Sequence, residues 1–170
     1  SMAFPHLGLD LVEPVNPPSH GYIWILVATE YFTKWSEAIP LRKATKGVVA
    51  NFIKENVIVD LGPHKIISDN GTPFVNREVR KMLEFYQVKH HWSSLYYPQG
   101  NGQTEAKNKT FIKIISKMCQ EYSEDWVTHL PDAQWAYRSS PKSTTEFSPF
   151  SLVYKTKVVS PTEVMIPSLR

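Results

Sequence analysis

Cysteine is nearly missing from this chain: among its 170 residues only Cys119 carries a thiol. A single thiol excludes an intrachain disulfide framework and every Cys-rich zinc site, and it points to a reducing compartment. Long apolar runs are absent too. None reaches the roughly 18 residues that a membrane span needs, and no secretory leader precedes the first strand-like run, so no membrane partner is expected. No Lys/Arg cluster is dense enough to serve as a nuclear address. Charge of one sign does not dominate either, with 19 Lys and Arg against 16 Asp and Glu, a net charge of +3 and a pI near 8.9. That mild excess permits a nucleic-acid partner without demanding one. There is no internal repeat and no low-complexity tract. What remains is an ordinary globular composition, 42% hydrophobic and 21% charged. It suits one folded domain over residues 1–170. Ser1-Met2 reads as an expression scar, and about 158–170 as a C-terminal tail.

Three strand-like runs come first: "HLGLDLV" (6–12), "YIWILVATEYF" (22–32) and "KWSEAIPL" (34–41), which read as an antiparallel meander. A helix is expected over 45–59, with Val48, Val49, Phe52, Ile53 and Asn56 at helical spacing. A short strand "HKIIS" then ends at Asp69. Asn76 can cap a helix over 76–87 whose stripe is Val79, Met82, Leu83 and Tyr86. "VKHHWS" is a further strand. A long helix is expected from about Gly102 to Tyr122, with Phe111, Ile114, Ile115, Met118 and Tyr122 as its core stripe. Another spans 124–139, where Pro131 either kinks it or starts its second part. "SPFSLVY" suggests a last short helix. A meander followed by alternating strand and helix describes an α/β sandwich with a mixed sheet.

Three acids fall at element ends. Asp10 is in the first strand, Asp69 closes the fourth, and Glu105 is in the first turn of the long helix. If the first and fourth strands are neighbours, both aspartates share one edge of the sheet, where open α/β folds place ligands. Three convergent carboxylates require a hard divalent cation, and Mg²⁺ favours one or two carboxylates with phosphate oxygens and water. Two such ions suit in-line phosphoryl transfer. Against this, a lone Asp in "DNG" is more often a turn residue than a ligand. The 35 residues between Asp69 and Glu105 are weak support when 16 acids offer many pairs.

Five blocks in order decide the matter: "GLDLVEP", "LVATEYFTKWSEAIPL", "IISDNGTPF", "YYPQGNGQTEAKNK" and "WAYRSSPKSTTEFSPFSLVY". Together, over about residues 7–167, they resemble the integrase catalytic core of gypsy-class LTR retrotransposons, relatives of retroviral integrases. The resemblance implies a ribonuclease H-like fold, a five-stranded mixed sheet flanked by helices. It implies a catalytic and metal-binding triad of Asp10, Asp69 and Glu105 holding Mg²⁺ or Mn²⁺. It implies 3′-end processing and strand transfer of element DNA into target DNA, so the expected partner is double-stranded DNA, and the core is expected to form a homodimer or higher assembly. Action on host DNA implies a nuclear location, with a cytoplasmic stage before import.

On a helix, Asn101, Asn108, Lys109 and Ile112 lie within about 60° of Glu105. By the same resemblance Tyr96, Asn101, Asn108 and Lys109 are expected to contact DNA. Lys113 and Lys117 extend Lys109 into a basic ridge, although such a run is also what a solvated helix face looks like. His90 and His91 lack Cys partners and do not suggest zinc. Trp126, Trp135 and Tyr137 are expected to pack structurally. The zinc domain and carboxy-terminal domain usual in this family lie outside the sequence, so the chain reads as a core excised from a longer product. It also departs from the family pattern. "DLGPHKIISDNG" is one residue short, and Glu13, Glu146 and Lys155 stand where glycine is typical. A residue other than glycine held at positive φ is strained, so a domesticated core acting as a DNA- or protein-binding module is the competing reading. A ribonuclease H or transposase of the same fold is a third.

Overall fold

In a computed structural model, residues 6–12, 15–93, 102–142 and 146–154 are described, with 93 and 102–109 as backbone only. Strands β1 (His6–Val12), β2 (Trp24–Glu30) and β3 (Ser36–Leu41) form the expected antiparallel meander. Strands β4 (Lys65–Asp69) and β5 (Lys89–Ser93) add to it in parallel, giving the order β3-β2-β1-β4-β5. The β2–β3 turn is pinned by a buried acid. Glu30 accepts from the Phe32 amide at 2.9 Å and from the amide and hydroxyl of Thr33, so its charge is paired with donors rather than stranded.

Side-chain alternation divides the sheet into two apolar faces. Leu7, Leu9, Leu26, Ala28 and Ile66 point one way, against Val49, Phe52 and Ile53 of the first helical stretch and Val79 and Leu83 of α3. Ile25, Val27 and Ala38 point the other way, against Phe111, Ile115 and Met118 of α4 and Trp126, Leu130 and Tyr137 of α5. Here α3 is Arg77–Phe85, α4 is Gly102–Glu121 and α5 is Trp126–Ser139. A short α6 (Pro149–Tyr154) follows, its first turn capped by the Ser148 hydroxyl, which accepts from the Ser151 amide at 3.1 Å. This is the ribonuclease H-like arrangement.

Three packing expectations need correction. The helix after β3 begins as α1 (Lys46–Phe52), capped by Thr45, then widens into a π-helical stretch, Ile53–Ile58, before closing as α2 (Val59–Leu61). The five-residue step of a π turn carries the buried stripe from Phe52 to Val57, and Val48, in α1, is exposed. On α4 the stripe ends in Cys119, whereas Tyr122 is exposed and stacks on His129 with ring centroids 3.5 Å apart. Finally, Trp126 and Tyr137 are buried but Trp135 is about half exposed, at 48%. Helix α5 passes through Pro131 without ending.

Arg138 locks α5 to the meander. It is buried, donates from Nε to the Ser36 carbonyl at 2.8 Å, and pairs with Glu37 at 2.9 Å. Its guanidinium lies 4.1 Å and 4.9 Å from the ring centroids of Trp35 and Trp135. Burial pulls its pKa down while the Glu37 carboxylate pulls it up.

Candidate active site

The parallel pairing of β1 with β4 sets the site. Its rows are His6 with Lys65, Leu7 with Ile66, and Gly8 with Ile67. Two residues further along each strand stand Asp10 and Asp69, so the two aspartates share a register position on neighbouring strands, about 4.8 Å apart in backbone terms. They also share a face. Asp10 pairs with Val27, which packs against α4 and α5, so both acids project on the side that α4 covers. Asp10 is half-buried and Asp69 exposed.

Local chemistry explains how Asp69 is presented. Its Oδ1 accepts from the Gly71 amide at 2.7 Å, an Asx turn that ends the strand. The glycine is required by close approach rather than by a left-handed backbone, because a Cβ at position 71 would lie 2.8 Å from that same Oδ1. The chain then folds onto itself: the Gly71 carbonyl accepts from Phe74 and Val75, and buried Phe74 anchors the loop in the core. Asn76 ends the turn. Its amide donates to the Thr72 and Pro73 carbonyls while its Oδ1 caps α3 through the Val79 amide.

A second support reaches Asp69 from the opposite face of the sheet. The Ser68 hydroxyl donates to the Asp69 carbonyl at 2.8 Å and sits 2.8 Å from His90 Nε2. A hydroxyl has one proton, so the imidazole is the donor in the second bond and neutral His90 carries its proton on Nε2. Burial, and to a lesser degree the neighbouring His91, lower the His90 pKa. Sequence reading dismissed zinc for the His90-His91 pair but missed this role. Only the pairing of Ser68 with Trp92 and of Ile66 with His90 reveals it.

Glu105 lies in the first turn of α4, with its side chain outside the described residues. The same holds for the side chains of Asn108 and Lys109, while Tyr96 and Asn101 are outside altogether. Lys113 and Lys117 are exposed on the side of α4 away from its buried stripe. Among the described residues no three His, Cys, Asp or Glu side chains are close enough to hold a metal. The donor set at Asp10 and Asp69 is oxygen only, which fits a hard cation and not zinc. Among the described residues, no helix is long and apolar enough to cross a membrane.

Comparison with known proteins gives the family. The model of the integrase core domain family matches residues 3–98, a span that includes Asp10 and Asp69 and stops before Glu105. Similarity to whole proteins continues further. The chain is 33% identical over 153 residues to the Gag-Pol polyprotein of Avian reticuloendotheliosis virus, covering 89% of this chain and 13% of that protein. It is 30% identical over 161 residues to the Tf2-3 and Tf2-4 transposon polyproteins of Schizosaccharomyces pombe, covering 93% of this chain and 12% of each. The chain therefore spans only about an eighth of the curated relatives it matches. With more than half of its length matched by the family model and the mixed five-stranded sheet in place, the chain belongs to the integrase core domain family.

Proposed function

We propose that this chain is the catalytic core of a gypsy-class retroelement integrase, a polynucleotidyl transferase that trims element ends and joins their 3′-hydroxyls to target DNA. One observation carries the reading: Asp10 and Asp69 stand in one row of adjacent parallel strands, on the face of the sheet against which the helix that bears Glu105 packs. Asp10 and Asp69, with Glu105 as third ligand, would hold Mg²⁺ or Mn²⁺. Such ions, when bound, acidify a water or a 3′-hydroxyl and neutralise the leaving oxygen. The chain's own part is positioning. The Gly71 amide orients Asp69, and the Ser68–His90 bond fixes the strand end that carries it. Tyr96, Asn101, Asn108 and Lys109 are assigned to the element's end, with Lys113 and Lys117 adding phosphate affinity. The core works within a longer polyprotein product, acts in the nucleus after a cytoplasmic stage, and pairs with a second copy. The exposed aromatic side chains of Trp135, Phe147 and Tyr154 support an interface around α5 and α6.

The domesticated alternative rests on Glu146, held at φ 62° where glycine is typical of the family. Glu13 and Lys155, the other two departures, lie outside the described residues. The deciding experiment supplies Mn²⁺ and a branched DNA, in which element end and target are already joined, to the chain and to Asp69→Asn. Metal-dependent resolution of the branch by the first alone is expected. Inactivity of both, with DNA binding intact, would favour the binding module.

A further inference from the structure

Among the described residues, the face that carries the acids is only half covered. Helices α4 and α5 pack over β2, β3 and the end of β1, and no described side chain of either core cluster packs on the same face of β4 and β5. Strand alternation and the strand register fill that half with an ordered charge pattern. The first row is His6, Lys65 and Lys89; the second is Gly8, Ile67 and His91; the third is Asp10, Asp69 and Ser93. Lys89, His91 and His6 are exposed and Lys65 is partly so.

The lysine row is costly without a ligand. Like charges directly opposite on neighbouring strands repel, and Lys65 faces Lys89 across β4 and β5. Among the described residues no carboxylate forms an ion pair with either. A lysine on the edge strand β5 has a bland explanation, since it discourages edge-to-edge pairing. Lys65 does not, because β4 is an interior strand.

We infer that Lys65 and Lys89 form a phosphate-binding strip for the target duplex, set back along the strands from the acid row. This rests on the integrase reading above. Four residues separate each lysine row position from the acid row, about 13 Å at 3.3 Å per residue. At 3.4 Å per base pair that is about four base pairs from the reacting phosphate. The choice of target over element DNA follows from in-line geometry, in which entering and leaving oxygens lie on opposite sides of phosphorus. The ridge on α4 takes the element end from one side of the acid row, and the strip lies on the other.

The test uses Lys65→Gln/Lys89→Gln and branched DNAs whose target arm is either 2 or 20 base pairs, with binding measured by fluorescence anisotropy from 50 to 200 mM salt. On the long target arm the double variant should flatten the slope of log K against log salt by about 1.8, so that the wild type loses about 12-fold more affinity across that range. On the 2-base-pair arm the two proteins should match. Neutral methylphosphonates at the third to fifth phosphates of the target arm should weaken the wild type and leave the double variant unchanged. Urea unfolding should show the variant at least as stable as the wild type, since a repulsion has been removed. An unchanged slope, or a loss that follows the length of the element arm instead, overturns the strip alone. Absence of any salt-dependent DNA binding by the wild type overturns the integrase reading and the strip with it.

Discussion

Replacing Gly71 by alanine should separate the candidate site from the stability of the fold. The position is not left-handed, so alanine meets no backbone strain. A glycine-to-alanine change in an allowed conformation stabilises by about 0.4–1 kcal/mol through the unfolded chain. The added Cβ, however, would stand 2.8 Å from Asp69 Oδ1, about 0.6 Å inside ordinary contact. The carboxylate must turn away, and the 2.7 Å bond from the Gly71 amide stretches or breaks. Asp69 is exposed, so water replaces the lost donor at little cost to the fold. The carboxylate is no longer held for a cation, however, and Mn²⁺ binding should weaken about 10- to 100-fold, the usual effect of losing a partner that orients a ligand. Calorimetric titration with Mn²⁺ and urea unfolding of the same samples give the two readouts. Opposite signs are expected: weaker metal binding, unchanged or higher unfolding midpoint. Metal affinity equal to wild type would refute the claim that this amide orients a ligand. Parallel loss of both would mean that the turn, not the carboxylate, had moved.

Three further outcomes follow from the packing. Arg138→Ala removes the charge that Glu37 faces across α5 and β3, and urea unfolding should show a loss of about 3 kcal/mol. Lysine at 138 should not restore it, because the planar group between Trp35 and Trp135 is what stacks. Glu146→Gly relieves a left-handed residue of its Cβ clash and should stabilise by up to about 1 kcal/mol. In a chain of this size the thermal midpoint should then rise by about 2–4 °C; no rise would mean that the segment bears no strain. His90, whose pKa is lowered in the fold, is favoured neutral there. Its stabilising contribution is therefore present above the ordinary value of about 6.5 and is lost as pH falls through the lower folded value. The stability difference between wild type and His90→Gln should shrink on acidification from about pH 7 to pH 5. A constant difference would place the stabilisation elsewhere.

The strands and helices were legible because their periods are clean. Alternation marked β1 to β3, and the Asn76 cap with Val79 and Leu83 marked α3. What escaped was whatever depends on register or on an irregular turn. No pattern in "KIISD" and "KHHWS" says that the segments lie parallel with Lys65 beside Lys89, since one residue of slip would turn each set to the other face. The π-helical stretch displaced the stripe after Phe52 because sequence periodicity assumes 3.6 residues per turn. Trp135 was expected to be packed like Trp126, yet it stays about half exposed while touching Trp35, Phe150 and Arg138. Of the site, Asp10, Asp69 and Glu105 were named from motif, but what holds Asp69 is the Gly71 amide two residues on and Ser68, itself bonded to His90 twenty-two residues further along.

The charge pattern on the open face raises a last physical point: why the lysines and aspartates do not simply neutralise each other. They share one surface, but about 13 Å of sheet lies between the rows. At physiological ionic strength the screening length is about 8 Å, so exposed charges at that separation interact weakly. Each end therefore keeps its own preference, for cations at Asp10 and Asp69 and for phosphates at Lys65 and Lys89. A nucleic-acid strand laid along the β-strands, from one row to the other, would meet both needs at once, bringing phosphate oxygens to a cation at one end and to ammonium groups at the other. It would also exclude water and salt from the interval, and the screening that keeps the rows independent in the free protein would fall. Affinity for the metal and for the duplex should accordingly reinforce each other, because binding either one removes a repulsion that opposes the other. With Lys65 and Lys89 changed to glutamine, Mn²⁺ should tighten DNA binding by a smaller factor than it does in the wild type. An equal factor in both proteins would show that the two rows bind independently even when the duplex is in place.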